Sequence, residues 1–390
     1  MQRRHFLYSS SLACLFPLTT GLAACSNTDS NKPNSNKLNP IKEVILGGYS
    51  ETDANGKRLD SYGVIVVQPN KEGKFSIISD FTVPNEVHLA TLFPDQKSIL
   101  VCSRKPGASL LKYSLSGNLM AELKPLKNQH FEGHGIFSID EKYIYATASD
   151  FELKQGRMLK LNSQDLTLIK DYNSGGIGPH ELVWQSDKLI AIANTGVLTH
   201  PESGRKILNL SSIQSNIVLF DSQQEDIIHQ WQVPKQALSA RHLDRMANGD
   251  LVIGCQYKKK DQRPACIAFA NIESGLIFAE PNNENLYWGM KGYTASIKGI
   301  PNSLYAMITN PQGHLLTKWK SAADKSLSSE LIDQQKIEFN KGLKISRDGK
   351  QAWLSIGAGE LQTINLINAT AKNTSSRIKE NIWWGNHLGN

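Results

Sequence analysis

From residue 41 onward the chain is built of short apolar runs separated by Gly, Pro, Asn, Asp and Ser, and it shows almost none of the three-to-four spacing of an amphipathic helix. That pattern predicts an all-β chain, and such a chain is searched first for internal repeats. One stretch shows the unit clearly. Residues 88–93 read as a strand, 94–97 (Pro-Asp-Gln-Lys) as a turn, 98–103 as a second strand, 110–115 as a third and 119–123 as a fourth, with Ser116-Gly117-Asn118 turning between the last two. Four strands in about 45 residues match one blade of a β-propeller. The pattern returns with opening strands at His134, His180, His242, Tyr293 and Gly342, each followed by a second apolar run. The first unit, residues 43–78, lacks its opening strand, and residues 384–388 supply one from the carboxyl end. The expectation is a seven-bladed β-propeller over 41–390, closed by the C-terminal strand completing the first blade.

Aligning the units puts one position in register, the residue that opens each inner strand. Around the ring it reads His387, His88, His134, His180, His242, Tyr293, Gly342, so five of the ten histidines hold one equivalent place in successive blades. Inner strands line the central channel, which gathers imidazoles that are far apart in sequence. Neutral imidazole binds iron, copper or zinc, so His88, His134, His180, His242 and His387 are the candidate metal ligands. The competing reading is structural. Some propellers place a Gly-His pair before the inner strand for hydrogen bonding within the blade, and Gly133-His134 looks like such a pair. Residues expected near the channel mouth are Arg104, Glu181 and Arg241, with Glu86 as a further neighbour. The long connection 194–209 would fold over the channel as a lid and bring His200 and Arg205 to bind substrate.

The amino terminus reads as an address. Arg3-Arg4 precede a weakly apolar, acid-free stretch, as in twin-arginine export signals, and Leu22-Ala23-Ala24-Cys25 resembles a lipoprotein cleavage box. Residues 1–25 are therefore expected to be a signal peptide with Cys25 lipidated, and 26–40 a polar tether. The expected location is the periplasm, with a lipid anchor in the membrane, the outer one on the evidence of Ser26. The formal charge is +7, or +5 with Arg3 and Arg4 set aside, and bases and acids are mixed, which argues against nucleic acid as a partner. Beyond Cys25 the domain holds Cys102, Cys255 and Cys266. Cys255 and Cys266 flank the loop 258–263 and would face each other across a hairpin, where an oxidising compartment allows a disulfide. Lys258-Lys259-Lys260 reads as a solvated loop tip. No Cys-x-x-Cys-His is present, which excludes covalent c-type haem, and no nucleophile elbow, Walker loop or dinucleotide fingerprint occurs.

Ser103-Arg104-Lys105-Pro106-Gly107, Gly133-His134-Gly135, Gly176-Ile177-Gly178-Pro179-His180-Glu181, Thr199-His200-Pro201 with Gly204-Arg205, Arg241-His242-Leu243 and Gly254-Cys255-Gln256-Tyr257 together resemble the bacterial domain-of-unknown-function family 1513, over about residues 43–388. Gly385 departs from that pattern, where Asp usually precedes Asn-His. The resemblance implies an exported propeller of no established activity. It also implies imelysin-like or di-haem peroxidase-like envelope proteins as partners, through gene neighbourhoods suspected of iron uptake. Fold alone does not give function. Three readings stand: a monomeric cell-envelope metal-binding protein for iron or copper, a lyase or oxidoreductase using the same histidines, and a scaffold that docks a partner.

Overall fold

The computed structural model describes residues 43–70, 73–259, 261–280, 285–321, 329–367 and 373–389, so Cys25 and the expected signal segment and tether lie outside the described residues. Seven four-stranded antiparallel sheets form the blades of the expected propeller. The inner strands, in ring order, are Ile382–Gly389, Val87–Leu92, Gln129–Phe137, Pro179–Trp184, Leu238–Arg245, Ile297–Gly299 and Asn340–Ile345. The first blade takes its inner strand from the carboxyl end, and Ile382–Gly389 pairs with Ile45–Thr52.

The strand sequences follow from where each strand sits in a blade. Second strands such as Ser98–Ser103 and Leu189–Asn194 are buried along their whole length, because both faces of the sheet are covered by neighbouring blades. Outer strands such as Asp226–Gln232 alternate between exposed and covered positions, as one-sided burial requires. The core is correspondingly divided into wedges between blades. In Ser98–Ser103, Ile99 and Val101 pack toward blade 1 with Leu46, Val64 and Val66. Leu100 and Cys102 point the other way, onto Ile144, Ala146 and Ala148 of blade 3. A period of two along one strand thus builds two different wedges.

The inner strands differ from the expected units in two ways. Gln129–Phe137 begins well before His134, and the sixth is only the short Ile297–Gly299, leaving Tyr293 ahead of it. More consequential, the ladder slips at every histidine. Register shifts fall between Val87 and Leu89, between Phe131 and Gly135, between Pro179 and Leu182, and between Ala240 and His242, while Gly385–His387 are skipped between Trp384 and Leu388. A β-bulge adds an unpaired residue that bends the strand and re-aims its side chain. Here the re-aimed residues are histidines, or in blade 5 Arg241 immediately before one.

Candidate metal centre

The five equivalent histidines converge. Ring centroids of His88, His134, His180 and His387 lie 4.7–4.9 Å apart in five of their pairs. His242 lies 4.9 Å from His180 and 4.8 Å from His387. All five are at most 6% exposed. One ring nitrogen from each of His88, His134, His180 and His387 falls within 4.8 Å of the others, and Glu181, His242 and His387 form a second such group.

The hydrogen bonds fix several ring protons. A guanidinium only donates, so the Arg241 Nη2 contact of 3.3 Å makes His180 Nε2 an acceptor. His88 Nε2, 3.2 Å from the same atom, must then carry its proton. Glu181 Oε2 accepts from the Leu243 amide at 3.2 Å and from His242 Nδ1 at 3.0 Å, which places the His242 proton on Nδ1 and leaves its Nε2 as a lone pair. A carboxylate behind an imidazole in this way orients metal-ligating histidines. His134 Nε2, His180 Nδ1 and His387 Nε2 are buried with no hydrogen-bond partner among the described residues. His180, accepting at Nε2, carries its proton on Nδ1, while unpartnered nitrogens at His134 and His387 leave the cluster able to hold a metal ion.

The electrostatics keep these rings neutral. Burial pushes all five imidazoles well below the usual histidine range. Neighbouring imidazoles add to this at His88, His134 and His387, and Arg241 does so most strongly at His180 and His242. Neutral imidazole is the form that coordinates metal. Deeper in the channel the balance changes. Asp244 and Glu181 are raised by burial, and the Lys298 ammonium between their fields is held charged by them against its own burial.

Above the rings a recess of about 120 Å³ is lined by His88, His180, His242, Arg104, Arg205 and Arg241 among others. The structure therefore brings together the expected Arg104, Arg205 and Arg241, while Glu181 lies beside the rings and supports His242. The long connection lines the recess through Val197, Thr199, Arg205 and Ile207. His200 does not line the recess. Its Nδ1 accepts from the Glu202 amide at 3.2 Å, capping the short 3-10 turn Pro201–Ser203, and its ring packs on Phe151 at 4.5 Å. The proline-led turn needs that cap, which points the imidazole away from the channel.

Several contributors were not foreseen. His130 receives the Thr199 hydroxyl at Nε2 (3.2 Å) while its Nδ1 donates to the Phe131 carbonyl, and so ties the long connection to blade 3. Lys105 and Glu132 form a buried ion pair of 2.8 Å, and Ser149 donates to the second carboxylate oxygen at 2.7 Å. Lys258, expected in solvent, turns inward to line the recess and donates to Gln256 at 2.6 Å. Cys255 and Cys266 do face each other, with the Cys255 amide donating to the Cys266 carbonyl at 2.7 Å, but both are free thiols here. Cys102 is a fully buried core thiol, its pKa pushed up to about 12 by burial.

Residues 81–390 match the family model described as "Protein of unknown function (DUF1513)". The chain belongs to this family. No curated protein matches the sequence. Among solved structures, the chain is similar to the periplasmic gluconolactonase PpgL of Pseudomonas aeruginosa, at 10% identity and a TM-score of 0.60, over 87% of this chain and 99% of that one. It is similar to a hypothetical selenium-binding protein from Sulfolobus tokodaii at 12% identity and 0.60, over 90% and 94%. Hydrazine synthase of Kuenenia stuttgartiensis aligns at 12% identity and 0.56, over 88% and 99%. At these identities the likeness establishes the propeller alone.

Proposed function

We propose that this member of the DUF1513 family binds a transition-metal ion on its channel axis, with His88, His134, His180 and His387 as ligands and His242 held ready by Glu181. The observation that carries the reading is the approach of four buried, neutral imidazoles from four different blades, with one ring nitrogen of each within 4.8 Å of the others, and with His134 Nε2 and His387 Nε2 unpartnered among the described residues. An all-imidazole donor set suits iron, copper or zinc and disfavours magnesium or calcium, which seek oxygen. We favour iron or copper, handled or taken up at the cell envelope by a protein tethered through Cys25, alongside imelysin-like or di-haem peroxidase-like proteins. The test is elemental analysis of the purified mature protein, with titration of Fe(II), Cu(II) and Zn(II) into chelator-treated samples. One bound ion per chain is expected, lost in the folded His134→Ala/His180→Ala variant. No uptake of any of the three metals would refute the reading. Release of a Cys25→Ser variant from the membrane fraction tests the anchor separately.

A second reading is favoured by the recess itself, which gives a small molecule access to His180 and Arg241. In it the same imidazoles act on a bound substrate as acid, base or ligand. The gluconolactonase among the similar propellers makes a sugar lactone the first substrate to try. Turnover abolished by His180→Ala would support it.

A further inference from the structure

We infer that the channel mouth binds a small polyanion, an oxyanion with anionic groups at two ends such as a polycarboxylate or a condensed phosphate. The recess above the histidines adjoins a second one of about 190 Å³, and the two share Arg104, Arg205, Tyr293 and Asn386 in their walls. Arg241 and Lys258 line the first, Arg58 and Lys341 the second. The carboxylate that lines either recess is Glu86, and it is engaged by Arg104 at 2.6 Å. Arg58, Arg205, Arg241, Lys258 and Lys341 have no carboxylate within ion-pair distance among the described residues. Arg241 also keeps a buried Nε–H without an acceptor.

Gathering cations in a recess costs free energy unless an anion neutralises them, and guanidinium forks fit carboxylate and phosphate oxygens in particular. The contrast within the channel makes the inference specific. Below the rings, Lys298 is held charged by Asp244 and Glu181, whereas at the mouth burial and neighbouring cations push Lys258 well below the ordinary lysine range and Lys341 down to about 6, so the arginines carry the standing charge until an anion draws protons onto the lysines. The charges line the walls of two joined recesses and do not form a flat stripe, which fits a small ligand with two anionic ends and excludes a polymer lying across the surface. Asn386 and Tyr293, shared by both recesses, offer neutral polar groups between those ends.

This site goes beyond the metal reading and does not rest on it, so metal-free protein tests it. Isothermal titration of chelator-treated mature protein would use tricarballylate and pyrophosphate, with acetate and inorganic phosphate as single-ended controls. At least one polyanion is expected to bind one per chain and at least about tenfold more tightly than its control, weakening with salt. Which polyanion does so separates carboxylate from phosphate chemistry. Arg205, on the exposed turn of the long connection, is the safest probe of folding: Arg205→Gln should weaken binding about tenfold, as loss of one charge-assisted contact does, and Arg205→Lys should restore part of it. Binding no tighter than the controls, or undiminished in Arg205→Gln, overturns the inference. Either result leaves metal uptake, read by elemental analysis, to stand or fall by itself.

Discussion

Acidifying the metal-free protein should destabilise it steeply between about pH 7.5 and 5.5. An unfolded histidine titrates near the ordinary value of 6.5, whereas burial, mutual repulsion and Arg241 hold all five channel imidazoles well below it. In that window the unfolded state binds more protons than the folded one, so stability rises with pH. The contribution is complete above the unfolded value and is lost as pH falls below it. One pH unit below 6.5, each histidine that stays neutral only in the folded state removes about 1.4 kcal/mol, and five remove on the order of 7 kcal/mol. That is comparable to the whole stability of an ordinary domain, about 5–15 kcal/mol. Glu181 and Asp244 work in the opposite sense. Burial raises both, so the folded state takes up their protons first and gains stability as pH falls, trimming the total.

The assay is urea unfolding followed by circular dichroism in chelator, at closely spaced pH values, repeated with saturating metal. Bound metal should move the acid limb to lower pH, because ligation and protonation compete for the same nitrogens. His134→Gln should flatten the metal-free limb by about a fifth, one proton of five. A midpoint that does not move between pH 7.5 and 5.5, or resonances assigned to the five channel imidazoles titrating near 6.5 in the folded protein, would refute the account.

Gly133→Ala should impair metal affinity as well as stability. Its φ is +106°, and a Cβ there would sit 2.6 Å from His88 Cδ2, so the cost is about 1–2 kcal/mol in backbone alone plus displacement of a ligand; metal competition and thermal melting would show both. Lys105→Met should cost about 3–5 kcal/mol by leaving Glu132 charged and buried, with Lys105→Met/Glu132→Leu recovering much of it in urea unfolding. His200→Ala should cost about 1 kcal/mol or less, through the lost cap, and leave metal content unchanged by elemental analysis.

The propeller was legible because each blade repeats one pattern of turn and apolar run, and the histidine register followed from aligning those repeats. Positions were readable where a side chain's direction is set by its place in a strand. They were unreadable where the local backbone decides it. The bulges that turn the histidines inward leave no mark in hydrophobic periodicity, since each adds a residue that belongs to neither face. Lys258 looked solvated because it stands in a run of three lysines, yet the end of its strand delivers it to the channel mouth. His200 looked substrate-binding because of the loop that carries it, but a turn beginning at Pro201 claimed its ring nitrogen. Lys298 sits in an inner strand too short to announce itself.

The two blades without histidine complete the design. In blade 7 the equivalent residue is Gly342, and a Cβ there would lie 2.7 Å from the His387 carbonyl carbon. The closing strand can carry His387 to the axis only because its neighbour carries no side chain. In blade 6 Tyr293 precedes a three-residue inner strand, and its hydroxyl lies 3.4 Å from Asn386 Nδ2. Tyr293 therefore lines both recesses where a sixth imidazole would have extended the ring. Of the seven residues at the ring position, Tyr293 is the one that lines both recesses, and so it joins the histidine cluster to the cationic mouth.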